Sequence, residues 1–448
     1  MSAGMGRPRF GLGSRLALVL AGLAAIELLN TARLWARPVA NRVFPFGYVS
    51  QGIWSAGALF RPLDSTSTDL APVLEAARRA FEGTGQLYAD FTVYGATFNY
   101  PPTAAIELLP LGWMTAAGNS AAAMKLMDGL GRGAVLATTV IALTFCRGLP
   151  ASRRQWMVLV LVLLAFYPLR WTLVCIQAQS LITLYLAVAI LAYARSQGFL
   201  AGVLVGLAGC LKPYLAILVL YAAVRREWRV ATGAVVSAAL LIAASVEVMG
   251  MDPWWTYFGE ILPRVAGGYG FWPNQTITGM AHRWAGQSTF VLGPVSRGIA
   301  IASKISLVVF ALLAVWPRTL GRRSRPDDGS LREAEAVPQQ TQRLIRAADL
   351  GIAILAITLA SPIAWEHYFA WTVVLFAVCM AVGRIAPLPR GWFAALGCGY
   401  VFLGTYWLPV GAASSGPLSL INATGFVGAV LLLGAAWYAH RRLQRWWG

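Results

Sequence analysis

The 448-residue chain is poor in charge, and poorest in acids. Asp, Glu, Lys and Arg make up only 12% of it, against roughly 25% for an ordinary soluble domain. Apolar side chains make up 58%. A soluble fold of this length has too little interior to hide them, so a soluble protein is excluded and a bilayer is implied as the solvent. The five cysteines, Cys146, Cys175, Cys210, Cys379 and Cys398, fall in or beside apolar runs without metal-type spacing. They read as small core hydrophobes, with no disulfide. The three histidines, His282, His367 and His440, are too scattered to suggest a metal site. A Walker-type loop, a Ser-His-Asp order, zinc spacing and a DxD-like pair suited to a nucleotide sugar with a metal are all missing. No repeat with a period of 20–50 residues is present. No metal and no cofactor are expected.

Positive charge is what remains, with a net +18. It is dealt out in short clusters between apolar runs: Arg7, Arg9 and Arg15; Arg147, Arg153 and Arg154; Arg225, Arg226 and Arg229; Arg318, Arg322, Arg323 and Arg325; Arg441, Arg442 and Arg445. That distribution follows the positive-inside rule, and no nucleic-acid partner is expected. Apolar runs lie at about 16–34, 120–146, 155–174, 180–195, 198–211, 214–224, 230–249, 293–316, 345–361, 367–384, 391–409 and 418–438. The first has no small-residue cleavage site after it and reads as a retained helix. The two short runs flanking Lys212-Pro213 read as broken or tilted helices, since Pro213 lacks a backbone donor. Segment 101–116, opening Pro101-Pro102, is assigned as re-entrant because charge parity then leaves both termini inside. The expectation is an all-α integral membrane protein, 1–448 as one polytopic domain with about twelve spans in the cell's inner (plasma) membrane.

This topology gathers 35–100, Ile176–Gln179, Lys212-Pro213, 250–292, Ser361–His367 and 410–417 on the outer face. Two of these are large outer loops, 35–100 with an amphipathic helix near 70–83, and 250–292 with Trp and Tyr concentrated as at an interface. The polar, doubly charged stretch 318–343 reads as a disordered cytoplasmic loop. An active site facing the periplasm or exterior follows.

Several outer-face residues have both a structural and a chemical reading. Asp69, directly before the loop helix, is either its N-cap or a catalytic base. Lys212 interrupts an apolar run, where a lone cation either snorkels or meets an anion. His367 is a buried interface histidine or a phosphate or sugar contact. Gln177, Gln179, Asn274 and Gln275 can bind sugar hydroxyls or satisfy helix ends. Arg283, with Arg264, Arg297 and Lys304, can add to an anion site or anchor the interface.

The chain resembles glycosyltransferase family 87, polyprenol-phosphate-mannose-dependent α-1,2-mannosyltransferases of the GT-C class. The resemblance rests on Asp69-Leu70, Leu87-Tyr88, Phe98-Asn99-Tyr100-Pro101-Pro102, Leu108-Leu109-Pro110-Leu111, Gln177-x-Gln179, Gly202 to Lys212-Pro213, Asn274-Gln275 and Ser361-Pro362-Ile363-x-Trp365-Glu366-His367-Tyr368. It covers about 65 to 370. The family's Gly-Gln-x-Asn reads Ile176-Gln177-Ala178-Gln179 here, and its Trp-Asp-His reads Trp365-Glu366-His367. An aromatic pair often seen soon after the first Asp is replaced by Ala71-Pro72-Val73.

The resemblance implies a GT-C-type bundle and Asp69 as catalytic base, with His367 and Lys212 near the donor phosphate. Tyr100, Trp365, Glu366, Gln177, Gln179, Asn274, Gln275 and Arg283 are the further candidates for substrate contact. It implies a polyprenyl-phosphate sugar as donor, a glycolipid or glycan hydroxyl as acceptor, and a single inverting displacement. Arabinofuranose or glucose in place of mannose stays open. A transporter or flippase of lipid-linked sugars, or a lipid-carrier ligase, is the competing reading. The lack of an internal repeat and the gathering of polar residues on one face favour the enzyme.

Overall fold

A computed structural model describes residues 59–447 except 61, 64–68, 92–97, 148–151, 272, 288–296, 320–337, 406–415 and 417–421. The apolar run expected at 16–34, most of the first outer loop ahead of Asp69, the core of the loop 318–343 and most of 410–417 lie outside the described residues. All regular structure among the described residues is helical.

Helix α1 (Ala71–Phe81) is amphipathic and buries Val73, Leu74, Ala76, Ala77 and Ala80. Its small residues let α3 come close. A Cβ on Gly112 would lie 2.2 Å from the Ala77 carbonyl oxygen, so the two backbones touch. Segment 101–116 is two short helices, α2 (Pro102–Glu107) and α3 (Leu109–Ala116), broken at Leu108. Neither approaches the ~20 residues a span needs.

Next come α4 (Ser120–Phe145), α5 (Arg153–Leu164), α6 (Tyr167–Cys175), α7 (Gln179–Ala194), α8 (Gly198–Leu211), α9 (Ile217–Val224) and α10 (Trp228–Met249). Helix α5 starts at a capping box, the Ser152 hydroxyl accepting from the Gln155 amide and the Gln155 side chain accepting from the Ser152 amide. Pro168 in the first turn of α6 ends the preceding run, and α5 and α6 meet at 48°. Lys212 is extended (φ −135°, ψ 98°), as a residue before proline favours. It breaks the chain between α8 and the 3₁₀ turn Pro213–Ala216 that leads into α9.

The second loop region is itself helical: α11 (Asp252–Thr256), a π-helical turn Tyr257–Ile261, α12 (Leu262–Ala266) and α13 (Ile277–Trp284). The bundle closes with α14 (Arg297–Thr319), α15 (Gln339–Ala360), a 3₁₀ turn Glu366–Phe369, α16 (Thr372–Ile385), α17 (Arg390–Gly404) and α18 (Thr424–Trp447). Helices α15 and α16 are buried along almost their whole length and form the centre of the bundle.

Among the described residues two helices, α4 and α10, are long and apolar enough to cross a membrane, or three if the bent pair α5–α6 counts as one span. Helices α7, α8 and α16 and the segment Pro213–Val224 are apolar but shorter. Helix lengths therefore do not establish a count of about twelve. The break at Lys212-Pro213 falls where the two short apolar runs meet, whereas the break before Pro168 splits the run 155–174, which hydropathy alone reads as continuous.

Candidate active site

Loops at one end of the bundle enclose a cavity of about 380 Å³. Asp69, Tyr100, Gln177, Lys212, Trp365 and His367 all line it. They come from five separate stretches of chain, each positioned by its own local signal.

Asp69 sits one residue ahead of the N-cap of α1, which is Leu70. The Leu70 carbonyl receives the Val73 and Leu74 amides. The Asp69 carboxylate instead accepts a hydrogen bond of 2.7 Å from the Gln177 amide and another from the Cys175 thiol. The N-cap reading of Asp69 is corrected by this geometry: the helix is entered one residue later, and the carboxylate turns to the cavity. Burial raises its pKa above the usual carboxylate range, opposed by Gln177, Cys175 and the charge of Lys212.

Gln177 follows a left-handed turn at Ile176 (φ 43°, ψ 60°) that ends α6. Glycine suits that conformation, and a β-branched residue is held there only by its surroundings. Ile176 is buried, 3% exposed.

Lys212 projects from the break between α8 and Pro213. Its ammonium donates to the Tyr368 hydroxyl and lies 4.5 Å from the Tyr100 ring centre and 4.2 Å from that of Tyr368. Burial lowers its pKa to about 7, against the pull of the Asp69 charge. His367 is fully buried. Among the described residues neither of its ring nitrogens has a hydrogen-bond partner. Its ring packs edge-on against Trp365 and Tyr368, centroids 5.5 and 4.9 Å away. Burial, and then the Lys212 charge, hold it well below the ordinary histidine pKa, so it is a neutral imidazole.

The Pro-Pro segment places Tyr100, whose carbonyl accepts from the Tyr88 hydroxyl at 2.7 Å. Phe98 packs between these two rings, 5.6 Å from Tyr88 and 5.7 Å from Tyr100.

The remaining candidates sit outside the cavity lining. Asn274 is fully buried and joins two loops. Its amide donates to the carbonyls of Tyr269 and Pro362, and its oxygen accepts from Ala364 N–H and the Thr276 hydroxyl. Gln275 donates to the Asn422 carbonyl and accepts from the Phe426 amide at the start of α18. Arg283, 1% exposed, donates to the Asn274 carbonyl at 2.9 Å. These three hold the loops that carry Tyr269, Pro362 and Trp365. Gln179 is fully buried in the first turn of α7. Glu366 is half-buried and turned to the Tyr167 hydroxyl, with burial raising its pKa to about 8. Arg297 and Lys304 are exposed on α14.

Three residues that sequence reasoning passed over belong to the site. Tyr269 lines the cavity and accepts from the Trp365 indole N–H. Tyr257 lines it from the π-helical turn. Cys175 bonds Asp69. The signal for Tyr269 was its place between glycines. A Cβ on Gly268 would lie 2.7 Å from the Pro362 carbonyl oxygen. Among the described residues no group of three His, Cys, Asp or Glu is placed to hold a metal ion.

A buried carboxylate, a cation and aromatic walls share one cavity. Residues 98–337 match glycosyltransferase family 87, and the chain belongs to that family. It is similar to the polyprenol-phosphate-mannose-dependent alpha-(1-2)-phosphatidylinositol mannoside mannosyltransferase of Mycobacterium tuberculosis. That likeness is 24% identity over 311 residues, 65% of this chain and 64% of the relative. It is also similar to the protein of the same description from Mycolicibacterium smegmatis, 28% identical over 361 residues, 74% of this chain and 73% of the relative.

Proposed function

We propose that this protein is an inverting glycosyltransferase that moves mannose from a polyprenyl-phosphate carrier to a glycolipid hydroxyl at the outer membrane face. The observation that carries this reading is that Asp69 faces a cavity it shares with Lys212 and His367. Family membership and the names of the two relatives support the donor and the acceptor class. The basic clusters between apolar runs support an orientation with the site outside, in a bundle of about twelve spans.

Asp69, ionised, takes the proton of the acceptor hydroxyl as that oxygen attacks the sugar C1. The bond from C1 to the phosphate oxygen breaks, and polyprenyl phosphate leaves with the electron pair from the opposite side. A positioned base supplies a factor of about 10²–10⁴. Desolvation suits the task, because it brings the carboxyl pKa up toward the working pH. The departing phosphate is stable as an anion, so a cation aimed at it replaces a general acid. Lys212 supplies that charge, and the neutral His367 imidazole donates a hydrogen bond to a phosphate oxygen. Gln177 and Cys175 hold the Asp69 carboxylate in one orientation. Tyr100, Trp365 and Tyr269 offer ring faces and edges to the sugar.

The test is transfer of labelled mannose from polyprenyl-phosphate mannose to a glycolipid extract by purified protein in nanodiscs. Transfer by the wild type is expected. Failure with this donor and transfer with an arabinofuranosyl or glucosyl carrier would move the sugar assignment. Failure with every lipid-linked sugar would sink the enzyme reading and bring back the transporter.

A further inference from the structure

A second cavity, of about 570 Å³, opens at the opposite end of the bundle. Helix α8 connects the two: Gly198 at its first turn lines this cavity, and Lys212, just past its last turn, lines the active site. At 1.5 Å per residue they stand about 20 Å apart. Arg226, Arg229 and Arg346 line the second cavity, with Glu227 as its one carboxylate. Arg346 donates to the Ser196 hydroxyl, and Glu227 accepts from Tyr193 at 3.1 Å. Among the described residues neither Arg226 nor Arg229 has an ion-pair partner.

Backbone electrostatics add to this charge. Helices α8 and α10 run parallel and touch. A Cβ on Gly202 would lie 2.1 Å from the Val230 carbonyl oxygen, and one on Gly206 2.5 Å from that of Ala234. The contact advances along both chains together, so the first turns of α8 and α10 lie side by side at the arginines. Among the described residues neither first turn is capped by its N-cap side chain, Gln197 or Glu227. Each contributes leading amides and a partial positive charge. Two parallel helix starts beside three arginines, Arg226 and Arg229 exposed and Arg346 half-buried, with Glu227 the one carboxylate, leave a net positive concavity that suits an anion.

The surroundings indicate where the anion comes from. Trp228 is 62% exposed at the rim, and Phe199, Leu200 and Val235 are exposed on the same helices. An apolar flank topped by an aromatic and basic rim is the level at which lipid headgroups sit.

We propose that this cavity binds a phosphate-bearing anion, as an anionic phospholipid headgroup of the leaflet opposite the active site. Arg229 and Arg346 are its principal contacts. The proposal does not depend on the transfer reaction.

The test uses the full-length protein in detergent and native mass spectrometry, titrating phosphatidylglycerol, phosphatidylcholine and, separately, inorganic pyrophosphate. Phosphatidylglycerol is expected to bind more tightly than phosphatidylcholine. In R229Q/R346Q its binding is expected to weaken about tenfold or more, the size of one lost charge-assisted hydrogen bond. R229K/R346K keeps the charge and is expected to retain most of the binding. R153Q/R154Q, with the same charge loss on exposed arginines outside the cavity, is expected to bind as the wild type does. Pyrophosphate binding that R229Q/R346Q abolishes, without a preference for phosphatidylglycerol, would keep the site and make its ligand a soluble anion. Equal weakening in R153Q/R154Q, unchanged binding in R229Q/R346Q, or no anion binding at all would overturn the proposal.

Discussion

The Gln177 side chain donates to the Asp69 carboxylate at 2.7 Å, across 108 residues of sequence. The contact makes Gln177 a positioning residue for the proposed base. It holds the ionised carboxyl in one orientation and draws its pKa down against burial. Gln177→Leu removes the donor at similar volume. Its kcat is expected to fall about tenfold to a hundredfold, the effect of a misplaced base, while donor KM changes little. A large rise in KM with kcat intact would make Gln177 a sugar contact instead.

Lys212 gives the reaction a pH signature. Burial brings its pKa to about 7, so in the free enzyme the ammonium is lost as pH rises through neutrality. The rate constant kcat/KM is then expected to decline on the alkaline side with an apparent pKa near 7 and on the acid side as Asp69 is protonated. Lys212→Arg keeps a charge that does not titrate in this range, and its profile is expected to lose the alkaline limb. A limb that survives the substitution would assign it to another group.

Asn274 separates scaffold from substrate contact. Its four hydrogen bonds join the loop carrying Tyr269 to the loop carrying Pro362 and Ala364. Asn274→Ala leaves buried backbone groups unpaired and is expected to cost about 2–4 kcal/mol of stability, read as a lowered Tm. A direct sugar contact would predict an unchanged Tm with a raised KM.

These residues show what the sequence made legible. Lys212 stood out because a lone cation in an apolar run needs a reason, and Asp69 by its place directly before the loop helix and by the family resemblance. Both line the cavity. The amides did not separate in this way. Gln177, Gln179, Asn274 and Gln275 carry the same donors and acceptors whether they meet a sugar or a carbonyl, and only the fold shows Asn274 and Gln275 tied to backbone. Cys175 read as a small hydrophobe because nothing local places it against a carboxylate 106 positions away. Helicity followed from composition, while segment 101–116 was assigned as re-entrant from charge parity, and its break at Leu108 had no sequence signal. Span lengths did not follow, because the hydropathy run 155–174 continues through the break before Pro168.

Close packing of α1 on α3 places Asp69. The Ala77 carbonyl lies where a Cβ on Gly112 would stand. Gly112→Ala is expected to push α1 outward, cost about 1–3 kcal/mol and lower transfer without touching substrate. Thermal unfolding and turnover of the same preparation check both. An unchanged rate would show that the Asp69 turn does not depend on this contact.

The most direct test is Asp69→Asn, which keeps a hydrogen-bonding side chain of the same shape but cannot accept a proton as a carboxylate does. Wild type and variant are compared for transfer from labelled polyprenyl-phosphate mannose, with Tm measured alongside. A fall of about a hundredfold or more in kcat with Tm held is the expected result. Transfer at the wild-type rate would contradict the assignment of Asp69 as base and turn attention to Glu366, the nearby carboxyl with a pKa of about 8.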